Sequence, residues 1–182
     1  MYTVVLDGFT EQLGPAHANT LRTTCALATM LDEMGEYAEA RPLFEAAVEG
    51  QTVQLGATHM ETLMTKGNLA EMLVRTAGPE DALQLVTAKQ MLVSVVDGFS
   101  DQLSEQHEYS LYYKSNLGLA HQKLGASGHT PLFNTQEAET IYRQVLLGQE
   151  GPEGDQNDAR LTRTRLEALL CGEICELTTA DT

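Results

Sequence analysis

The chain has 182 residues, of which 26 are acidic and 11 are basic, so its formal net charge is −15 at pH 7. An acidic surface repels phosphate backbones, which argues against nucleic acid as a partner. No apolar run approaches the ~20 residues that are needed to cross a bilayer, so no membrane insertion is expected.

The sequence repeats itself at intervals of about 40 to 50 residues, a range typical of solenoid proteins. One motif occurs as Leu13-Gly14-x-x-His17-x-x-Thr20-Leu21, then as Leu55-Gly56-x-x-His59-x-x-Thr62-Leu63, and more loosely as Leu103-Ser104-x-x-His107-x-x-Ser110-Leu111. A single unit of this kind cannot bury its apolar face alone, so neighbouring units share a core. The repeat therefore predicts stacked units whose long surfaces bind other chains.

The first complete unit is predicted to be a helical hairpin. Apolar residues at three- and four-residue spacing predict a helix over Leu21–Met34, and Gly35 is the kind of residue that ends a helix. Because Pro42 is tolerated only near a helix start, the second helix is expected to begin at residues 38–39.

The later units repeat this design with insertions. A first helix is predicted over Leu63–Arg75, and Gly78-Pro79 breaks it before a lengthened second helix that opens at Ala82. The third unit starts at Leu111, and its extra residues predict an enlarged turn at 125–136.

Aligned in this way, the chain divides into five predicted segments. They are 1–20, the second helix of a partial repeat; 21–62, a repeat; 63–110, a repeat with a lengthened second helix; 111–160, a repeat with an inserted turn; and 161–182, the C-terminal helix of a partial repeat.

The aligned units resemble tetratricopeptide repeats, specifically the longer units of kinesin light chains. The positions that carry the resemblance in the first unit are Thr20-Leu21, Leu27-Ala28, Leu31, Gly35-x-Tyr37, Glu39-Ala40, Phe44, Ala47-Val48, Leu55-Gly56 and His59. The resemblance implies an all-α fold, a right-handed superhelical α-solenoid of antiparallel helix hairpins. It is specific for the fold and not for a function, because such arrays host many unrelated binding roles.

In such arrays the first helix of each hairpin lines a concave groove, and the resemblance implies which side chains face it. The candidate partner-binding residues are Arg22, Met64, Asn68, Glu71, Arg75, Tyr112, Asn116, Leu119 and Lys123. Asn68 and Asn116 occupy the place where related repeats hydrogen-bond the backbone of a bound peptide. The alternative is that each asparagine bonds a neighbouring helix. The basic residues are scattered, so an apolar or amphipathic segment is expected rather than an acidic one.

The histidines and cysteines do not predict a metal site. A histidine recurs just before each first helix, at His17, His59 and His107, which is typical of a capping or packing residue. Because one unit separates each from the next, they cannot converge on one metal ion. Cys171 and Cys175 lie one helical turn apart and supply only half of a zinc site, so an apolar helix face is the better interpretation. No cofactor is expected.

Three cysteines are too few, and the wrong number, for a disulfide framework. They predict the cytoplasm or another reducing intracellular compartment, and import into an organelle stays open if a transit peptide has been removed.

The sequence shows no catalytic constellation, so a non-enzymatic role is expected. The preferred hypothesis is an interaction module or scaffold that binds a peptide or partner segment in the groove. The alternative is a structural subunit of a large multiprotein assembly, held through its convex face, its open ends and the 125–136 turn.

Overall fold

The structure is a computed structural model, and it describes residues 2–126, 131–149 and 159–170. Within those ranges every regular element is an α-helix and no strand occurs, which confirms the all-α prediction. The helices are α1 (Tyr2–Leu13), α2 (Ala18–Glu33), α3 (Tyr37–Leu55), α4 (Met60–Thr76), α5 (Ala82–Gln102), α6 (Glu108–Ala126), α7 (Pro131–Gln149) and α8 (159–170).

The chain forms two compact units, Met1–Thr76 and Ala77–Thr182. Unit 1 contains α1 to α4, and unit 2 contains α5 to α8. The boundaries of the predicted repeats and the right-handed superhelix stay predictions.

The first helices α2, α4 and α6 each begin three residues before the predicted leucine. They start directly after His17, His59 and His107, whose imidazole Nδ1 atoms accept a backbone N–H from the second helical residue. These hydrogen bonds confirm the capping interpretation of the periodic histidines. An apolar pattern marks only the buried face of a helix. The predicted helices therefore start at their first core residue and leave out the first turn, which the histidine caps.

The turn between α2 and α3 is short. Gly35 has a φ of 84°, a left-handed conformation that suits glycine, and α3 begins at Tyr37, just before the predicted residues 38–39. The backbone N–H groups of Glu39 and Ala40 both donate to the Glu36 carbonyl, which closes the first turn.

The helices of each described hairpin run antiparallel, and glycine allows their close approach. Gly50, near the end of α3, lies against Leu21 at the start of α2, and a Cβ at Gly50 would lie 2.4 Å from Leu21 Cδ2. In the same way Gly148, near the end of α7, lies against Leu111 at the start of α6.

In the α2/α3 and α6/α7 hairpins, a small residue of the first helix and an aromatic ring of the second are buried at matching repeat positions. In unit 1, Ala28 and Phe44 are both fully buried. In unit 2, Gly118 takes the place of the alanine, and the larger Tyr142 lies against it with its hydroxyl donating to Gln122 Oε1 at 3.0 Å. Burial raises the pKa of Tyr142, which keeps the phenol neutral in this core.

The predicted enlarged turn at 125–136 is wrong in its extent. Helix α6 continues to Ala126, and α7 already begins at Pro131, so most of the inserted residues extend the two helices. Proline suits the first helical position because its φ is preset and its missing N–H needs no partner there. The alignment started this helix at Glu137 and overlooked that signal.

Other predicted features lie outside the described residues. They are the centre of the inserted turn (127–130) and the continuation of the last helix through Cys171 and Cys175.

The close contact in unit 2 predicts that Gly118→Ala lowers the free energy of unfolding. A Cβ would lie 2.6 Å from Tyr142 Cε1, and the buried ring has no free space to move into. Overpacking costs about 1–3 kcal/mol, which exceeds the gain of up to about 1 kcal/mol from helix propensity. Urea denaturation measures the difference. Gly8→Ala is the matched control, because nothing lies within 4 Å of a Cβ at that helical position and the change should be stabilising.

The core of unit 1 predicts a large loss of stability for Phe44→Ala. The ring is 0% exposed, so its removal leaves a cavity and should cost about 3–5 kcal/mol. Val53→Ala in the same helix is the control, because Val53 is 83% exposed and its truncation should change stability by less than about 0.5 kcal/mol. Equal effects in denaturant melts would contradict this account of the core.

Candidate functional site

A cavity of about 280 Å³ opens on the face that α2 and α4 share in unit 1. Its lining residues are Arg22, Cys25, Ala26, Gln51, Glu61, Met64, Thr65 and Asn68. The predicted residues Arg22, Met64 and Asn68 are therefore brought together around one concavity.

The wall of this cavity combines apolar and polar side chains. Met64, which is 36% exposed, lines it together with Ala26 and Cys25. The Cys25 Sγ lies 3.3 Å from Thr65 Oγ1, and burial raises the pKa of the thiol, so Cys25 is uncharged. These three residues suit contact with an apolar side chain.

Arg22 supplies the positive charge of the cavity. Its side chain is exposed, and among the described residues it forms no ion pair. Asn68 is half-buried in the next helix of the face. A side-chain amide donates and accepts hydrogen bonds at once, as a peptide group requires.

Two predicted residues of α4 lie away from this cavity wall. Arg75 forms an ion pair with Asp32 of α2, and its guanidinium lies 5.6 Å from the centre of the Tyr37 ring. The hydrogen bond to Asp32 raises the pKa of Arg75. Arg75 thus braces α4 against α2 and the start of α3, and the half-buried Glu71 does not line the cavity.

In unit 2 the predicted residue Asn116 belongs to the interior. It is 4% exposed, and Arg165 of α8 donates from its guanidinium Nη1 to Asn116 Oδ1 at 3.4 Å and to Ser115 Oγ at 2.8 Å. The Ser115 hydroxyl also lies 3.3 Å from the Thr162 hydroxyl. The structure therefore has at Asn116 the arrangement that sequence reasoning kept as its alternative, an asparagine bonded to a neighbouring helix.

The other predicted residues of unit 2 are likewise engaged within the chain. Lys123 Nζ donates to the Ala77 carbonyl at 3.1 Å, and burial lowers the pKa of Lys123. Tyr112 lies edge-on to Tyr113 with ring centres 5.1 Å apart, and Leu119 is half-buried. A cavity of about 250 Å³ is lined by Ala77, Gly78, Pro79, Lys123 and Ala126.

Sequence reasoning missed several residues of these sites. Gln51, at 3% exposed, lines the cavity of unit 1, and Gln149 is buried at the corresponding place in unit 2. Each follows a glycine that lies against the first leucine of its hairpin, so the repeat held a signal for both. Arg165 has no such signal, because it lies in the C-terminal partial repeat, outside the complete repeats.

Two further observations bear on chemistry and environment. In the part of the chain that the structure describes, no group of three or more His, Cys, Asp or Glu residues is placed to hold a metal ion. None of the helices described is both long enough and apolar enough to traverse a bilayer.

Hairpins of repeated sequence, with a capped first helix and a small-to-aromatic core, define the class as an α-helical repeat protein. The family model of the tetratricopeptide repeat matches residues 27–88, which run from the middle of α2 into α5. Residues 27–88 thus form a tetratricopeptide-repeat segment, as the sequence predicted. No curated protein matches the chain. The finer likeness to kinesin light chains stays a prediction.

The contacts of Arg165 predict that its removal destabilises unit 2. Arg165→Met keeps most of the apolar stem and removes the donor to Asn116 and Ser115, which should cost about 1–2 kcal/mol. Thermal and urea unfolding measure the change. Arg160→Met is the control in the same helix, because Arg160 is exposed and should contribute less than about 0.5 kcal/mol. A smaller effect at Arg165 than at Arg160 would contradict the packing of α8.

Proposed function

We propose that the chain is a non-enzymatic interaction module that binds a peptide segment of a partner protein on the α2/α4 face. Tetratricopeptide repeats generally mediate protein–protein interaction. The observation that carries the proposal is the cavity in which Arg22, Met64 and Asn68 meet. Of the predicted groove residues, these three share a concave surface within one unit.

The cavity suggests the chemistry of the segment. An apolar side chain of the partner enters between Ala26 and Met64, where burial of apolar surface supplies the free energy of binding. The Asn68 amide pairs with a backbone peptide group beside that side chain. Arg22 receives a carbonyl or a single carboxylate, which orients the segment.

A strongly acidic segment fits this face poorly. The chain has a net charge of −15, and the basic residues Arg75 and Lys123 already have partners within it. One uncommitted guanidinium does not offset that field. An amphipathic segment with one apolar anchor is therefore the preferred ligand.

A second candidate function, a structural subunit of an assembly, is favoured by exposed apolar side chains on the second helices. Val53 of α3 is 83% exposed, Leu83 of α5 is 81% exposed and Leu147 of α7 is 78% exposed. The predicted solenoid places these helices on its convex side. Exposed aliphatic side chains in a partner interface become buried on assembly.

A peptide-display selection against the full chain tests the first candidate. Arg22→Ala and Asn68→Ala should each weaken a selected peptide by about tenfold, because each removes a hydrogen-bonding group from the interface. Fluorescence anisotropy measures the dissociation constant, and circular dichroism checks that helicity is retained.

Two controls separate the candidates. Arg41 is exposed on α3 and pairs with Glu45, so Arg41→Ala should leave the affinity unchanged. Val53→Asp should also leave it unchanged if the peptide binds the α2/α4 face. A peptide that tolerates both cavity variants but is lost with Val53→Asp would refute the groove and favour the assembly role.

A further inference from the structure

Gln51 brings an unused hydrogen-bond acceptor to the wall of the unit 1 cavity. The side chain belongs to α3, lines the cavity and is only 3% exposed. No described residue donates a hydrogen bond to its Oε1 atom. Most buried polar groups in proteins are hydrogen-bonded, and a buried oxygen without a donor costs free energy. The wall of the cavity therefore contains an acceptor that still requires a donor.

The hydroxyl and the thiol of the same wall do not supply that donor. Thr65 donates its hydroxyl hydrogen to the Glu61 carbonyl at 3.0 Å. The contact of 3.3 Å between Cys25 Sγ and Thr65 Oγ1 therefore uses the thiol hydrogen. Burial raises the pKa of Cys25, so the thiol keeps this hydrogen. Both hydrogens are thus committed to other acceptors.

The two charged residues of the wall have opposite signs. Arg22 of α2 and Glu61 of α4 both line the cavity, and a guanidinium only donates hydrogen bonds whereas a carboxylate only accepts them. A cationic occupant would meet the guanidinium. An anionic occupant would meet the carboxylate and the net charge of −15 on the chain. The cavity therefore favours a neutral group that both donates and accepts.

We propose that the partner segment carries a glutamine whose side-chain carboxamide enters this cavity and pairs with Gln51. The proposal rests on the function proposed above and adds a polar contact to the apolar anchor. The carboxamide NH2 of the partner donates to Gln51 Oε1, and its oxygen accepts from Arg22. Since one carboxamide complements another, the pairing holds with either end of the Gln51 amide turned toward the occupant.

Other neutral side chains complement this wall less well. An apolar side chain excludes water from the cavity and leaves Gln51 Oε1 without a donor, which loses affinity. A serine or threonine hydroxyl donates a hydrogen bond, but its short side chain adds little contact with Met64 and Ala26. Glutamine combines two methylene groups, which extend that apolar contact, with a group that donates and accepts.

Three versions of one peptide test the proposal on the unaltered chain. Display selection should return peptides that share a glutamine at a fixed distance from the apolar anchor. Replacing this glutamine by glutamate keeps the shape and removes the donor, and replacing it by methionine keeps the length and removes the amide. Each change should weaken binding by about tenfold in fluorescence anisotropy, because Gln51 then loses its partner.

A variant of the chain tests whether the preference comes from Gln51. Gln51→Met should bind the glutamine and methionine peptides equally, so the coupling in a double-mutant cycle should account for the whole preference. Gln149→Met is the matched control, because Gln149 is also 3% exposed and also has an Oε1 without a donor among the described residues. It belongs to unit 2 and should leave the preference unchanged.

Two measurements examine Gln51 itself. Thermal unfolding of Gln51→Met without peptide should give an unchanged or higher midpoint, because an apolar side chain of similar size replaces a buried amide with an unpaired oxygen. In NMR spectra, the side-chain NH2 signal of Gln51 is the one that this variant lacks. It should shift when the glutamine peptide binds and stay in place with the methionine peptide.

The outcomes separate this inference from the proposed function. Peptides that depend on Arg22 and Asn68 but share no glutamine, or that bind equally well with glutamine, glutamate and methionine, would overturn the glutamine contact and leave binding on the α2/α4 face intact. A large fall in the midpoint of Gln51→Met, or an unfolded variant, would also overturn it, because Gln51 would then be bonded within the chain. Peptides that tolerate both Arg22→Ala and Asn68→Ala would refute the face itself.

Discussion

The packing of the α6/α7 hairpin depends on one close contact, in which Gly118 of the first helix lies against the Tyr142 ring of the second. Tyr142 would collide with any side chain at Gly118, and Ala28 and Phe44 are buried at the same repeat positions in unit 1. The volumes vary together, since the larger ring goes with the smaller residue. Interiors are close-packed, so this pairing fixes how far apart the helix axes lie. It thereby also fixes which side chains of the first helix remain at the surface.

That constraint gives the two units different faces. In unit 1 the α2/α4 face keeps a cavity between Arg22 and Asn68, with the uncharged Cys25 in its wall. In unit 2 the corresponding asparagine, Asn116, contacts Arg165 of α8 and is buried. Its Nδ2 finds no hydrogen-bond acceptor among the described residues. The half-buried Arg165 guanidinium donates hydrogen bonds to neutral oxygens and holds α8 against α6. The asparagine position is therefore part of the interior of unit 2 and not of a binding surface.

The sequence allowed much of the fold to be predicted, for a physical reason. The apolar repeat, the glycine of the turn and the small-to-aromatic pair are local or periodic features, and they located the first hairpin to within three residues. The helix starts and the insertion were less predictable. Each cap depends on a single hydrogen bond, made by His17, His59 or His107. Helix α7 begins at Pro131, inside the predicted turn.

The candidate site was less predictable than the fold, because family resemblance places a side chain on a face but does not show what else reaches it. Arg75 and Lys123 occupy the same repeat position. Arg75 of α4 contacts Asp32 and Tyr37, which flank the α2–α3 turn, and Lys123 of α6 contacts the carbonyl of Ala77, in the α4–α5 turn.

Both basic side chains therefore contact the turn of the preceding hairpin. Arg75 pairs with a carboxylate beside that turn, and Lys123 donates a hydrogen bond to a backbone carbonyl within it. A long cation next to an open turn satisfies groups there before any ligand arrives. This position in the repeat is thus a brace between successive elements. Arg22 differs because it lies near the start of α2, at the end of the helix away from such a turn. That placement leaves its guanidinium available at the cavity.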